Sequence, residues 1–560
     1  MAKRMFNIFN KEFTGLHQAA YLLGVFAIFS QILALVRDRL LAYSFGASRT
    51  LDVYYAAFRI PDFIYITIAS FISITVLIPF LTEKIDYKNE DGGEKAREFL
   101  NTILSVFMLI IIGVSLIAFF LIPKLAIVMV PGFSGNEQDQ FILLARILLL
   151  SPILLGVSSL FGSITQSYRK FFVYASSSVL YNVGIIIGIL FLLPIFGVRG
   201  VAFGVVVGAL LHLLIQVPTV LRHKLFPRFS FKIDFREVKK VVMLSLPRTL
   251  TLSVTNLAFI VLVVVASSME EGSISVLNLS FNLQSAPLAI IGVSYSVAAF
   301  PTLVRFFSKG EHKEFMMYVS VATRHIIFWS IPVIILFIVL RAQIVRTILG
   351  AGKFDWSDTR LTAAALAIFS ISILAQALQL LFVRAYYATR RTSKPLIINI
   401  LSAITIITLA FILTHIFRTN DQFRYFIEAL LRIEDIQGAI MIMLPLAYSI
   451  GMIMNATLLI FTFKHDFKDS NFSLEKTFTE VFGASVIMGF VSHKFLIVFG
   501  KIFDINTFMG IFLQGLYAGI IGIVVGVVVL RLLGNKETSE IISILKRKVK
   551  LGSRRVLIED

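Results

Sequence analysis

The chain has no cysteine among its 560 residues. Disulfides, thiolate nucleophiles and cysteine-bound metals are therefore excluded. Charge is scarce too. Asp, Glu, Lys and Arg together make up 15%, against about 25% in soluble proteins. Acidic residues are the rarer kind, 33 against 52 Lys+Arg, which leaves a formal net charge of +19. The sequence holds no HExxH, no GxxxxGK[ST] and no Ser/His/Asp arrangement with supporting context. Metalloprotease, P-loop and triad chemistry thus have no motif to rest on. No enzymatic activity, no cofactor and no metal are expected. No ATPase domain can be read in the chain, so any transport would draw on an ion gradient, the membrane potential or a substrate gradient.

What is abundant is apolar. Hydrophobic residues make up 57% and the mean hydropathy is +0.87. This composition predicts an all-α polytopic membrane protein. A span needs about 20 apolar residues, and about 14 such segments can be read, from residue 19 to residue 533. Residues 1–18, which open with "MAKRMFNIFNKEF", read as a basic interfacial segment and not as a cleaved signal. The stretch 417–436 reads as a short amphipathic helix outside the bilayer.

Most of the basic residues fall on the side shared by the two termini. The loop 222–240 and the tail 534–560, with "LKRKVKLGSRR", are the densest. The positive-inside rule then places both termini in the cytoplasm. In a soluble protein the net charge would suggest nucleic acid; here it is explained by topology, and no nucleic-acid partner is expected. Arg341, Arg346, Lys353 and Arg360 are the exception, because they fall on the opposite side.

The chain resembles itself at an offset of about 220 residues. The segment from Val130 and the segment from Leu349 each start with a glycine turn and a polar stretch. Each then runs through an apolar span to a basic turn, Arg169-Lys170 or Arg390-Arg391, and enters another span. Upstream, Pro79 in "VLIPFLTEK" matches Pro301 in "AAFPTLVRF". Six spans fit one offset, so the copies insert with the same orientation, as in a parallel repeat. The expected division is an N-lobe at 19–221, a basic loop at 222–240, a C-lobe at 241–465 and two further spans within 466–533. Prolines at 61, 79, 287 and 301 are expected to bend the second and eighth spans.

Residues 31–63, "QILALVRDRLLAYSFGASRTLDVYYAAFRIPDF", put charge where apolar segments meet. An arginine near a bilayer centre costs between about 2.5 and 17 kcal/mol unless it meets water or a partner. Arg37, Asp38 and Arg39 point about 100° apart on a helix, so at least one must face a cavity or another helix. Arg59 and Asp62 are i,i+3 neighbours that can pair. Asp52 lies within reach of either. Asn182 and Gln284 are candidates for sugar contact or for bridging helices.

The "VRD…FGA…D…F-R-I-P" course of this segment resembles the first two helices of the MurJ/MviN family. "SITQSYRKFFVYASSSVLYNVGII", "GVRGVAFGVVVGALLHLLIQVP" and "VRAYYATRRTSKP" resemble three further segments of that family. The glycine-rich one is the most specific, and the resemblance covers about residues 15–465. It implies a flippase of the MOP exporter superfamily. Such a protein moves lipid II, a polyprenyl-diphosphate-linked glycan used in peptidoglycan synthesis, across the bacterial inner membrane by alternating access. Membrane lipids are further implied partners. A monomer is expected, with cell-wall synthesis proteins as candidate neighbours.

Of the family's cavity arginines, Arg37 matches. The others fall on Gln31, near Tyr65 and near Asn282, and the family's acidic residue of the seventh helix falls on apolar positions around Leu262. The resemblance points to Arg37, Gln31, Tyr65 and Asn282, and the charge reading adds Arg59, as the candidate substrate-binding set. Asp38, Asp52, Asp62 and Arg39 are the candidate supporting ion pairs. An arginine fork suits a phosphate; a purely structural ion-pair cluster is the alternative. For the whole chain, a MOP-type exporter of another polysaccharide-lipid unit or a drug stays open, as does a non-transporting scaffold of the same fold.

Overall fold

The structure is a computed structural model that describes residues 16–72, 74–85, 93–467, 474–541 and 543. The expected interfacial segment up to residue 15 and the basic tail from 544 onward lie outside the described residues. The described residues contain helices and no strand. The long helices are α1 (Leu16–Phe45), α2 (Arg49–Lys84), α3 (Glu94–Met129), α4 (Gly135–Ser167), α5 (Phe171–Phe196), α6 (Val198–Arg222) and α7 (Phe235–Ser267). They continue as α8 (Ser273–Ser308), α9 (His312–Val339), α10 (Trp356–Ile371 and Ile373–Ala388), α11 (Ser393–Thr419), α12 (Ala439–Phe467), α13 (Glu475–Phe499) and α14 (Phe508–Leu532).

Twelve of these are long and apolar enough to cross a membrane. The two pieces of α10, which meet at 41°, make a thirteenth. Helix α1 is not in that count. It is 30 residues long, about 45 Å at 1.5 Å per residue, and carries Arg37, Asp38 and Arg39 in its second half. Hydrocarbon offers no partner to a bare N–H or C=O, so a chain this apolar satisfies its backbone inside helices. Large side chains such as Phe120 (67% exposed), Ile195 (71%) and Phe461 (69%) stand on outer helix faces, as lipid-facing residues do.

Two compact units divide the chain. One takes in Met1–Asn278 and Ala351–Asp358, the other Leu279–Gly350 and Thr359–Asp560. These units are cut by contacts, inside α8. The lobes expected at 19–221 and 241–465 are a division by internal likeness, which stays a proposal.

The likeness itself recurs in local geometry. Helix α4 ends at Arg169 in the left-handed region (φ 56) and the second half of α10 ends at Arg390 (φ 60). At the first, Lys170 N–H donates to Thr165 O (2.8 Å) and Arg169 N–H to Gln166 O (2.9 Å). At the second, Arg391 N–H donates to Tyr386 O (3.1 Å) and Arg390 N–H to Tyr387 O (3.0 Å). These are matching Schellman closures. The second and eighth helices share an irregularity as well. Each holds a proline, Pro61 or Pro287, with a π-helical turn just after it, Tyr65–Ala69 or Ala289–Val293. A proline frees one carbonyl from the i→i−4 ladder, and a π turn is one way to absorb the slip.

Helices α5 and α6 pack through glycine. A methyl placed on Gly188 or Gly204 would lie 2.5 Å from the other's Cα. Gly200 and Gly208 meet the backbone of Leu192 and Tyr181 in the same way. Backbones approach this closely only where no Cβ intervenes. Gly197, at φ 61, turns the chain between the two helices.

Candidate functional site

The charged segment of α1 and α2 lies within the first unit. Arg37 is held by two partners. Its Nε and Nη2 donate to Asp38 Oδ1 at 2.9 and 2.8 Å, and its Nη1 donates to Asn182 Oδ1 on α5 at 3.3 Å. Asp38 is buried, while the Arg37 side chain keeps 20% exposure. Asn182 is oriented in turn by Ser30, whose carbonyl and hydroxyl accept from Asn182 Nδ2 at 3.3 and 3.2 Å. Adjacent residues with opposite charge thus form one planar ion pair. The asparagine holds its outer edge and bridges α1 to α5. Arg39 and Gln31 are half-buried on the same helix.

Arg59 finds a partner other than the one expected. Its Nη2 donates to Asn278 Oδ1, and its guanidinium carbon stands 4.8 Å above the Phe259 ring on α7. Its Nε is buried without a hydrogen bond among the described residues. No ion pair joins it to Asp62 among the described residues, and Asp62 is exposed. Asn278 is held by its own Nδ2, which donates to Ile274 O at 2.7 Å. Sequence reasoning passed over Asn278. The available signal was its place four residues before Asn282, hence on the same helix face. Asn282 itself is half-buried and belongs to the second unit. Tyr65 opens the π turn of α2, and its hydroxyl pairs with Ser159 Oγ at 3.3 Å.

Asp52 does not support Arg37 or Arg59. It is fully buried and caps the start of α8. Gly272 N–H, Ser275 N–H and Ser275 Oγ donate to its carboxylate at 2.8, 2.7 and 2.7 Å. Arg49, at 3.9 Å, is its ion-pair partner. Arg49 also donates its backbone N–H to Glu271 at 2.8 Å, stands 3.6 Å from Glu137 and lies 5.3 Å from the Phe133 ring centre. Only the helix-start chemistry of a carboxylate could have signalled this, and the sequence does not say which helix it would cap.

The same end of the first unit is fastened twice more. A methyl on Gly132 would strike the backbone of Ser267 and Ser268 at the end of α7. A methyl on Gly352 (φ +61) would strike Tyr43 at the end of α1, whose carbonyl also accepts from Lys353 N–H at 3.0 Å. Ala47 N–H donates to Asp358 Oδ2 at 3.1 Å. Gly132 and Gly352 are a repeat offset apart, and so are Tyr43 and Ser267. Equivalent loops therefore grip equivalent helix ends. The ends of α1 and α7 and the starts of α2 and α8 form one latch.

Two other polar groups serve packing. Gln284 is fully buried and accepts from Gln376 Nε2 at 3.1 Å. Asn182 bridges helices as described. No group of three or more His, Asp or Glu that could hold a metal occurs among the described residues.

A many-helix membrane chain with an internally repeated plan, an ion pair within its first long helix and a latched end defines a class: polytopic transporters built as repeated helix bundles. A solved inward-facing MATE multidrug transporter of the MOP superfamily has the same fold, with a TM-score of 0.62 over 78% of this chain and 94% of that one at 13% identity. The structure titled "Lipid II flippase MurJ, inward closed conformation" aligns with a TM-score of 0.71 over 93% of this chain and 100% of that one at 24% identity. The family model "Lipid II flippase MurJ" matches residues 41–518, and the chain belongs to that family. Among curated relatives, the "Probable lipid II flippase MurJ" of Thermotoga maritima is 29% identical over 70% of this chain and 78% of its own length. The one of Buchnera aphidicola subsp. Baizongia pistaciae is 28% identical over 68% of this chain and 74% of its own.

Proposed function

We propose that this chain is a lipid II flippase of the bacterial inner membrane, working by alternating access between the two copies of its repeat. The family match over residues 41–518 carries this reading. The site chemistry supports it. A lipid-linked diphosphate brings about two negative charges out of water, and fixed cations within the spans offset the lost hydration. Arg37 is suited to that work because Asp38 and Asn182 hold its plane while part of its surface stays exposed. Arg59, stacked on Phe259 and held by Asn278, is the second cation. Asp38 positions Arg37 and does not itself meet an anionic ligand.

With both termini in the cytoplasm, α1 ends on the outer side. The latch at Tyr43, Asp52, Ser267 and Gly352 then closes the outer end, and substrate enters from the inner leaflet. Opening requires Asp52 to release the start of α8.

The test is complementation of a flippase-depleted bacterium, with lipid II exposure on the outer leaflet as the direct readout. The parent chain should restore both. Arg37→Ala should restore neither at equal expression. Arg37→Lys should stay well below the parent, because an ammonium cannot hold Asp38 and Asn182 in one plane. A well-expressed parent that fails to rescue would point to the second reading, an exporter of a different polyprenyl-diphosphate glycan. Gln31, Tyr65 and Asn282 stand where the family resemblance leads one to expect arginines; this favours a third reading, a non-transporting scaffold of the same fold, for which Arg37→Ala would leave growth unaffected.

A further inference from the structure

Between α11 and α12 the chain forms a helix, Asp421–Leu431, outside the membrane-scale spans. Asn420 caps its start, accepting from Phe423 N–H at 2.9 Å, directly after α11 ends at Thr419. At 100° per residue, Phe426, Leu430, Phe423, Ile427 and Leu431 form one unbroken apolar arc about 140° wide. Asp421 and Glu428 lie opposite Phe426 and Leu430, and Arg424 lies next to the buried edge. The arc is shared between two surroundings. Ile427 and Leu431 are buried against the protein, whereas Phe426 (62%) and Leu430 (61%) are exposed beside them.

The far end of this helix is clamped. Arg341 Nη2 donates to Leu431 O at 3.2 Å, and Arg360 donates to Arg432 O through Nε (3.1 Å) and Nη2 (2.6 Å). Arg360 also lies 3.9 Å from Glu434. Two of the four cations that break the positive-inside pattern are thus consumed in capping helix carbonyls, where positive charge is favoured. Arg432 itself adopts φ 59, and Ile433 N–H closes onto Glu428 O at 2.9 Å, so the helix cannot run on.

We propose that Asp421–Leu431 is a membrane-surface helix that docks on the headgroup–acyl boundary at the end of α11. Phe426 and Leu430 are its lipid-facing edge, and Arg341 and Arg360 fix its orientation. The bilayer is the occupant that fits. The helix begins one residue after a membrane span, its exposed apolar edge continues the edge buried on the protein, and Asp421 and Glu428 face away from the exposed edge. Tyr425, 60% exposed beside Arg424, lies on the polar side near Asp421.

The absence of cysteine gives a clean test. Full-length protein carrying Phe426→Cys, Leu430→Cys, Asp421→Cys or Glu428→Cys is labelled with a nitroxide. It is reconstituted in phosphatidylethanolamine/phosphatidylglycerol vesicles and read by power saturation with oxygen and a water-soluble nickel chelate. Labels at 426 and 430 should be oxygen-accessible and nickel-shielded, at depths of about 5–10 Å. Labels at 421 and 428 should show the reverse. Equal nickel access at all four positions would overturn the proposal. So would labels at 426 and 430 that are water-exposed in pure vesicles but shielded in native membranes, since that result would make the edge a protein-docking surface. Monodisperse elution of each variant separates either result from misfolding.

Discussion

At the residue scale, neighbours decide what a charge does, and the sequence names the charge without its neighbours. Arg37 and Asp38 project about 100° apart on a helix, yet these adjacent side chains pair with each other. Arg59 and Asp62 looked paired at i,i+3, yet Arg59 turns to Asn278 and Phe259, some 200 residues away in the chain. Asp52 shows the same limit most clearly. Its carboxylate accepts three hydrogen bonds at the start of α8, a partnership that no local pattern announces. Removing it leaves helix-start N–H groups without a partner. Asp52→Ala should therefore cost about 1–2 kcal/mol, seen as a lower melting temperature of the purified protein. Asp52→Asn keeps an acceptor oxygen and should lose less. If the alanine variant melts with the parent, the cap contributes nothing to the fold's stability.

At the element scale the sequence was more informative, because periodicity survives without tertiary knowledge. Apolar runs marked the spans, and the recurring glycines of α6 marked a face that must meet another backbone. What could not be read was the facing partner, Gly188 on α5, since two glycines four helical turns apart in neighbouring segments leave no distinctive trace. The structure makes the difference measurable. Gly204→Val forces a branched side chain into backbone that stands 2.5 Å from a Cβ position, and overpacking of that kind costs about 1–3 kcal/mol or more. Gly483 on α13 has nothing within 4 Å of its Cβ position, so Gly483→Ala should be neutral or stabilising by up to about 1 kcal/mol. Thermal unfolding of the two variants side by side separates a packing glycine from a merely tolerated one. Equal melting of both would mean that the α5–α6 contact does not help to hold the first unit together.

At the scale of the whole molecule, the repeat was legible as an offset, and its purpose becomes visible only in how the copies meet. The loop at Gly132 grips the end of α7, and the loop at Gly352 grips the end of α1. Arg49 at the start of α2 binds Glu271 at the start of α8. Residues that are repeat-equivalent in sequence thus become reciprocal partners in space, an arrangement that can open only if both sets of contacts release together. A transporter working by alternating access must pass through such a release on each cycle, whereas a scaffold of the same fold need not. Cysteines introduced as Arg49→Cys and Glu271→Cys would be the only thiols in the chain, so a short cleavable bifunctional thiol reagent would join α2 to α8 and nothing else within the protein. Lipid II exposure on the outer leaflet should stop when the link is made and return when it is cleaved, with each single-cysteine variant unaffected by the reagent. Unchanged exposure in the linked protein would mean that this end stays shut throughout the cycle, and the access route would then have to lie elsewhere.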